Sequence, residues 1–168
     1  MESNTNLGLR NRVVIVTGGA RGMGRAYVRG FLAQGAKVVA TDRSWEGVDD
    51  FKEELKKQRD RTMTVEMDVT DNGQMDGAYQ AVLKKFGTVD ILVNNAAMRQ
   101  RDLFPPTGKI TALGTKDSDW EESFGVNVFG VLKVVRRFVQ PMIDNRRGSI
   151  INVVSSGILH HSKGGAYM

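Results

Sequence analysis

The segment Thr17-Gly18-Gly19-Ala20-Arg21-Gly22-Met23-Gly24 is where residue types and spacing first specify a chemistry. It follows an unbroken apolar run, Val13-Val14-Ile15-Val16, and precedes a pattern of helical period. Its backbone N–H groups therefore stand at the start of a helix whose dipole favours an anion. Gly18 permits a tight turn, Gly22 lets the backbone approach a phosphate, and Gly24 allows close helix packing. A glycine triplet alone fits a sterically tight turn without a ligand equally well; the strand before it and the helix after it favour a pyrophosphate, and so a dinucleotide. Asp42 closes the next apolar run, 24 residues after Gly18, where a carboxylate can accept hydrogen bonds from both hydroxyls of an adenosine ribose. A 2′-phosphate there would meet like charge, which favours NAD over NADP. Arg21 and Arg43 lie close enough in sequence to offer a phosphate partner, so NADP stays as the other candidate. Taken by itself, Asp42 also fits a helix or turn cap.

These groups need a scaffold, and the chain supplies short apolar runs alternating with helical patterns, the signature of βαβ units and a parallel sheet. Strands are expected at Val13-Val14-Ile15-Val16, Lys37-Val38-Val39-Ala40, Met63 to Met67 by alternation, Ile91-Leu92-Val93, and Ser149-Ile150-Ile151-Asn152-Val153-Val154. The first helix carries Met23, Tyr27, Val28, Phe31 and Leu32 up to Gly35, the second Val48, Phe51 and Leu55, and the third runs from Asp71 to Gly87 with Met75, Tyr79, Val82 and Phe86 on one stripe. Ser118 with Glu121 resembles a capping box, after which Trp120, Phe124, Val128, Leu132 and Val135 form the expected buried stripe of a long helix that Pro141 ends or kinks. Right-handed crossovers then give an α/β, doubly wound, Rossmann-like sheet of order 3-2-1-4-5. Residues 1–10 read as a tail and 98–117 as a long loop.

A chain of 168 residues with 40% hydrophobic and 26% charged composition fits one domain of roughly 100–200 residues. With no cysteine there is no disulfide scaffold, thiolate metal site or Cys nucleophile, and two histidines argue against a His-built metal site. No secretory leader pattern opens the chain and no apolar run nears the ~18 residues of a membrane span, so a cytoplasmic protein is expected. The net charge of +5 is not a nucleic-acid footprint, because bases alternate with acids over 52–61 and Arg136-Arg137 and Arg146-Arg147 lack interleaved aromatics.

Five stretches in this order resemble the short-chain dehydrogenase/reductase family: the glycine pattern at Thr17 to Gly24, Asp68-Val69, the run Asp90-Ile91-Leu92-Val93-Asn94-Asn95-Ala96, Phe124-Gly125-Val126-Asn127, and Ile151-Asn152-Val153-Val154-Ser155-Ser156. The resemblance spans roughly residues 10 to 167 and is more specific than any one motif. It implies hydride transfer between nicotinamide and a secondary alcohol or ketone. It puts Asp68 and Val69 at the adenine pocket and Asn95 and Ala96 beside the cofactor. Asn94 would stabilise the central strand, and Asn127 would help hold a proton-relay water. Ser155, with Ser156 as the alternative, would hydrogen-bond the substrate oxygen. Tyr167, twelve residues after Ser155, would be the acid/base that protonates the forming alkoxide.

Three features depart from that pattern. Ala97 stands where the family usually has Gly, and the 98–117 loop is longer than typical. The family's tyrosine works with a Lys four positions later, whose cation lowers the phenol pKa; the chain ends at Met168, and Lys163 lies on the wrong side to substitute. The expectation is an incomplete NAD(P)-binding domain over 1–168, lacking the family's C-terminal strands and helices and inactive alone. Its fifth strand would then be an uncovered edge bearing Ile150, Ile151, Val153 and Val154. The expected partners are a small alcohol or ketone and, at full length, further copies in a dimer or tetramer, with no nucleic acid and no membrane. The competing reading is a non-catalytic nucleotide-binding or regulatory module.

Overall fold

A computed structural model describes residues 7–98 and 114–154. Its strands are β1 (Val13–Thr17), β2 (Lys37–Asp42), β3 (Thr62–Glu66), β4 (Ile91–Asn94) and β5 (Ser149–Asn152), and the intervening helices are α1 (Gly22–Ala33), α2 (Asp49–Lys56) and α3 (Asn72–Phe86). Between β4 and β5 come α4 (Asp117–Phe124), a π-helical segment (Gly125–Gly130), α5 (Val131–Phe138) and α6 (Gln140–Asp144). All the strand pairs are parallel, in the order β3-β2-β1-β4-β5. The expected doubly wound, Rossmann-like topology is therefore the one found.

β1 is apolar without interruption because both its faces are covered. Val14 and Val16 pack with Val28, Leu32, Phe51 and Leu55 on one side, while Val13 and Ile15 pack with Met75, Val82, Val134 and Phe138 on the other. At the N-terminal ends of the strands, the Asp90 carboxylate accepts the Val13 N–H at 2.9 Å and pairs with Arg12 at 3.2 Å and Arg147 at 3.4 Å, tying β1, β4 and the entry to β5 together. α1 and α2 are joined outside by Arg25 on Asp50 and by Arg29 on Glu54 at 2.8 Å, with both guanidinium groups over the buried Phe51 ring. The hydrogen bonds from these arginines hold the Glu54 and Asp50 carboxyls below their ordinary range.

Several expected boundaries and faces are corrected. β5 ends at Asn152, two residues before the expected Val154. The third helix keeps its expected ends, with Asp71 as its N-cap and Gly87 closing it in the left-handed region at φ 77°. The box at the start of α4 is not Ser118 with Glu121: the Asp119 carboxylate accepts the Lys116 N–H at 3.0 Å, two residues earlier. The largest correction concerns the long helix. Phe124, Val128 and Leu132, expected in the core, are 48%, 42% and 48% exposed, as is Phe129 at 56%. The face that packs inward carries Gly130, Val134 and Phe138 instead. A π-helical turn lies in the middle of the stretch and resets the phase of the residues after it. Helical periodicity also reports an apolar stripe without saying whether the chain's own core covers it.

Candidate nucleotide site

The strand order reverses direction at β1, whose neighbours are β2 and β4. In an open parallel sheet, the crevice at the C-terminal ends of two such diverging strands is where ligands bind. Here the β1 end and the β4 end are locked to one another. The Thr17 hydroxyl, buried, accepts the N–H groups of Asn95 at 3.0 Å and Ala96 at 3.1 Å and donates to the Val93 carbonyl at 3.3 Å. The Asn95 amide donates back to the carbonyls of Thr17 at 2.9 Å and Gly18 at 3.1 Å. Thr17 and Asn95 therefore shape the turn, holding it with hydrogen bonds of their own.

The glycines in this turn have distinct physical reasons. Gly18 adopts φ +63°, and a Cβ there would stand 2.9 Å from the Ala96 Cα. At Gly24 a Cβ would fall 2.0 Å from the Gly18 carbonyl oxygen, so any side chain would break the turn. Gly22, at φ +53°, has no described residue within 4 Å of where its Cβ would be. No side chain caps α1 and no acid lies in its first turn, so the unpaired N–H groups of a helix start remain for an outside acceptor. Met23 is 62% exposed beside them.

Asp42 ends β2 with one carboxylate oxygen accepting the Ala20 N–H at 3.0 Å and the other 3.4 Å from the Ser44 N–H. The carboxylate is thereby fixed at the edge of the same turn, where Gly19 also donates to the Thr41 carbonyl at 2.8 Å. An open helix start for a pyrophosphate and an oriented carboxylate for ribose hydroxyls fit a dinucleotide. Arg43 is exposed on the loop that follows.

The Asp68 carboxylate accepts the N–H and hydroxyl of Thr70 at 2.8 and 2.7 Å, closing a turn on which Val69 is buried. Gly130 packs directly on Val69, where a Cβ would be 2.8 Å from its Cγ2, and Lys133 donates to the Thr70 carbonyl at 2.8 Å. Asn127 sits in the π-helical segment and clamps the chain beyond β4: its Oδ1 accepts the Met98 N–H at 2.8 Å and its Nδ2 donates to the Met98 carbonyl at 3.1 Å. Asn94 donates to the Asn152 Oδ1 at 2.8 Å, linking β4 to β5. Ser155, Ser156 and Tyr167 lie outside the described residues. Sequence reasoning missed Gly130, whose signal was an isolated glycine inside an apolar helical pattern. It also missed Ser44, whose carbonyl and N–H meet Arg21 and Asp42 through backbone contacts that its residue type does not signal. No group of three or more His, Cys, Asp or Glu among the described residues could hold a metal, and none of the described helices is long and apolar enough to cross a membrane.

Sheet order, glycine turn and open helix start together define a Rossmann-like protein of the nucleotide-binding class. The family model for short chain dehydrogenase matches residues 12–167, and the chain belongs to that family of oxidoreductases. It is 54% identical over 156 residues to fluoren-9-ol dehydrogenase of Terrabacter sp. strain DBF63, covering 93% of this chain and 43% of that protein. To the meso-2,3-butanediol dehydrogenase of Serratia marcescens it is 34% identical over 157 residues, covering 94% and 58%. Among solved structures, a short-chain dehydrogenase from Streptomyces avermitilis superposes with a TM-score of 0.78 at 29% identity, over 98% of this chain and 54% of that one. The chain thus spans about half the length of the curated relatives it matches.

Proposed function

We propose that this chain binds NAD at the β1–α1 turn and takes part in reversible hydride transfer between nicotinamide and a secondary alcohol or ketone. The observation that carries the reading is the uncapped, acid-free start of α1 set beside the oriented Asp42 carboxylate. In this reading the N–H groups at Gly22, Met23 and Gly24 hold the pyrophosphate, and Asp42 accepts the ribose hydroxyls and disfavours a 2′-phosphate. Bound NAD supplies the hydride acceptor. Ser155 hydrogen-bonds the substrate oxygen and Tyr167 takes the hydroxyl proton as the carbinol carbon loses hydride, roles that rest on the family resemblance. Asn127, with its side chain engaged by Met98, contributes by fixing the helix against the end of β4.

The 54% identity to a fluoren-9-ol dehydrogenase supports an aromatic or otherwise bulky secondary alcohol as the substrate class. The exposed face of Phe124, Val128, Phe129 and Leu132 supports a homo-oligomer, since contiguous apolar surface of this kind marks association. Two measurements test the reading: calorimetric titration with NADH, and appearance of NADH absorbance from NAD with fluoren-9-ol and smaller secondary alcohols. Absence of NADH binding overturns it. Tight binding without turnover on any alcohol favours the competing reading, a nucleotide-binding or regulatory module.

A further inference from the structure

We propose that Arg21 is a positioning residue for the adenosine end of the site, strapping the loop that follows Asp42, and is not a ligand for a 2′-phosphate. The proposal rests on the reading of the β1–α1 turn as a dinucleotide site. By sequence Arg21 is a cation at the mouth of that turn, where it offers itself to a phosphate. In the structure it is the N-cap of α1 with an extended backbone, φ −136° and ψ 165°, and its side chain reaches across to the loop between β2 and α2. The guanidinium donates from Nη1 to the Ser44 carbonyl at 3.0 Å and from Nη2 to the Glu46 carbonyl.

Those two carbonyls flank Trp45, which anchors the same loop from below. Trp45 is buried, stacks on Phe51 and donates from Nε1 to the Val65 carbonyl at 3.0 Å. Ser44 in turn has its N–H 3.4 Å from the Asp42 carboxylate, so a displacement of Ser44 is felt by the group that reads the ribose. Asp42 is held on its other side by the Ala20 N–H, one residue before Arg21. The glycine turn and the β2–α2 loop are thus stitched by side chains in both directions, Asp42 to the turn and Arg21 to the loop. A planar fork with five donors can bridge two carbonyls in this way, whereas the ammonium of lysine, a point charge, cannot hold both in a fixed geometry. A 2′-phosphate recruiting Arg21 would have to break both bonds and would still face Asp42.

The test compares wild type with Arg21→Lys and Arg21→Ala by titration with NADH and with NADPH, and by hydrogen exchange of the 43–48 segment without cofactor. Both variants should weaken NADH binding about three- to tenfold, the scale of losing one or two hydrogen bonds, and speed exchange in 43–48. NADPH binding should not weaken, and in Arg21→Lys it should tighten, because the cation is released. A purely structural role would instead weaken both dinucleotides alike. Arg21→Lys matching wild type in NADH affinity and exchange overturns the proposal, as does a selective loss of NADPH in Arg21→Ala. If wild type binds neither dinucleotide, the dinucleotide reading itself is at fault; if wild type binds NADH and the variants do not differ from it, only the strap falls.

Discussion

Two helix starts in this molecule follow parallel strands in the same sheet and are finished in opposite ways. At α3, Asp71 caps the helix by accepting the Gln74 N–H at 3.0 Å, and Gln74 accepts the Asp68 N–H at 2.8 Å, so the chain satisfies its own donors. At α1 there is no side-chain cap, no acid in the first turn, and no described residue within 4 Å of where a Gly22 Cβ would stand. The α3 start follows β3, an edge strand, whereas the α1 start lies at the β1–β4 crevice. Of these two starts, the one behind the edge strand is closed by the chain's own side chains, and the one at the crevice leaves its donors without a side-chain acceptor.

The sharpest way to break this contrast is at the glycines. Gly24→Val should destabilise the fold by about 3 kcal/mol, the upper range of overpacking, and abolish NADH binding, because its Cβ would overlap the Gly18 carbonyl. Gly73→Ala, in the first turn of α3 with its nearest neighbour 3.4 Å away, should stabilise by about 0.5 kcal/mol. Urea denaturation of both variants would expose the error if they shifted in the same direction. Next, Asp42→Asn should weaken NADH about tenfold while improving NADPH, read by titrating both; an unchanged NADH-to-NADPH ratio would remove Asp42 from cofactor choice.

Asp71→Ala should cost about 1 kcal/mol of stability and leave NADH affinity untouched; a matching loss of affinity would erase the distinction between the two helix starts. The smallest expected effect concerns the α1–α2 seam. The hydrogen bond from Arg29 lowers the Glu54 pKa in the folded state, so its stabilisation is present above the unfolded value, about 4.3, and fades as pH falls through the folded one. Because the pair is partly exposed, Glu54→Gln should remove no more than about 0.5 kcal/mol at pH 7, and in thermal melts the gap between wild type and variant should narrow steadily as the pH falls below about 4.3. A gap that does not narrow with acidification would show that packing on Phe51, and not charge, joins the seam.

Strand positions, their order and the glycine turn were legible because each rests on a local pattern: unbroken apolar runs for strands buried on both faces, glycines between strand and helix, an acid closing β2. The long helix was not, because a π-helical turn at 125–130 changes the period on which its buried face was read. Contacts to backbone atoms were equally invisible. Nothing in the sequence shows that Arg21 meets the carbonyls of Ser44 and Glu46, or that Asn127 meets Met98 from 29 residues away. Asn94 likewise has the single evident job of a strand asparagine until Asn152 appears opposite it.

The placement of β1 between β2 and β4 also dictates an order of events in time. Val13 pairs with Lys37, which leaves the ribosome soon after it, but the other edge waits for Ile91 and for Asp90 to capture the Val13 N–H. Pairings between residues so far apart in sequence are slow to form. During that interval β1, apolar over Val13 to Val16, presents a bare edge, the kind that other chains add to. Yield in cells should therefore depend on how quickly β4 closes that edge, and chaperone supply should matter more during synthesis than after it.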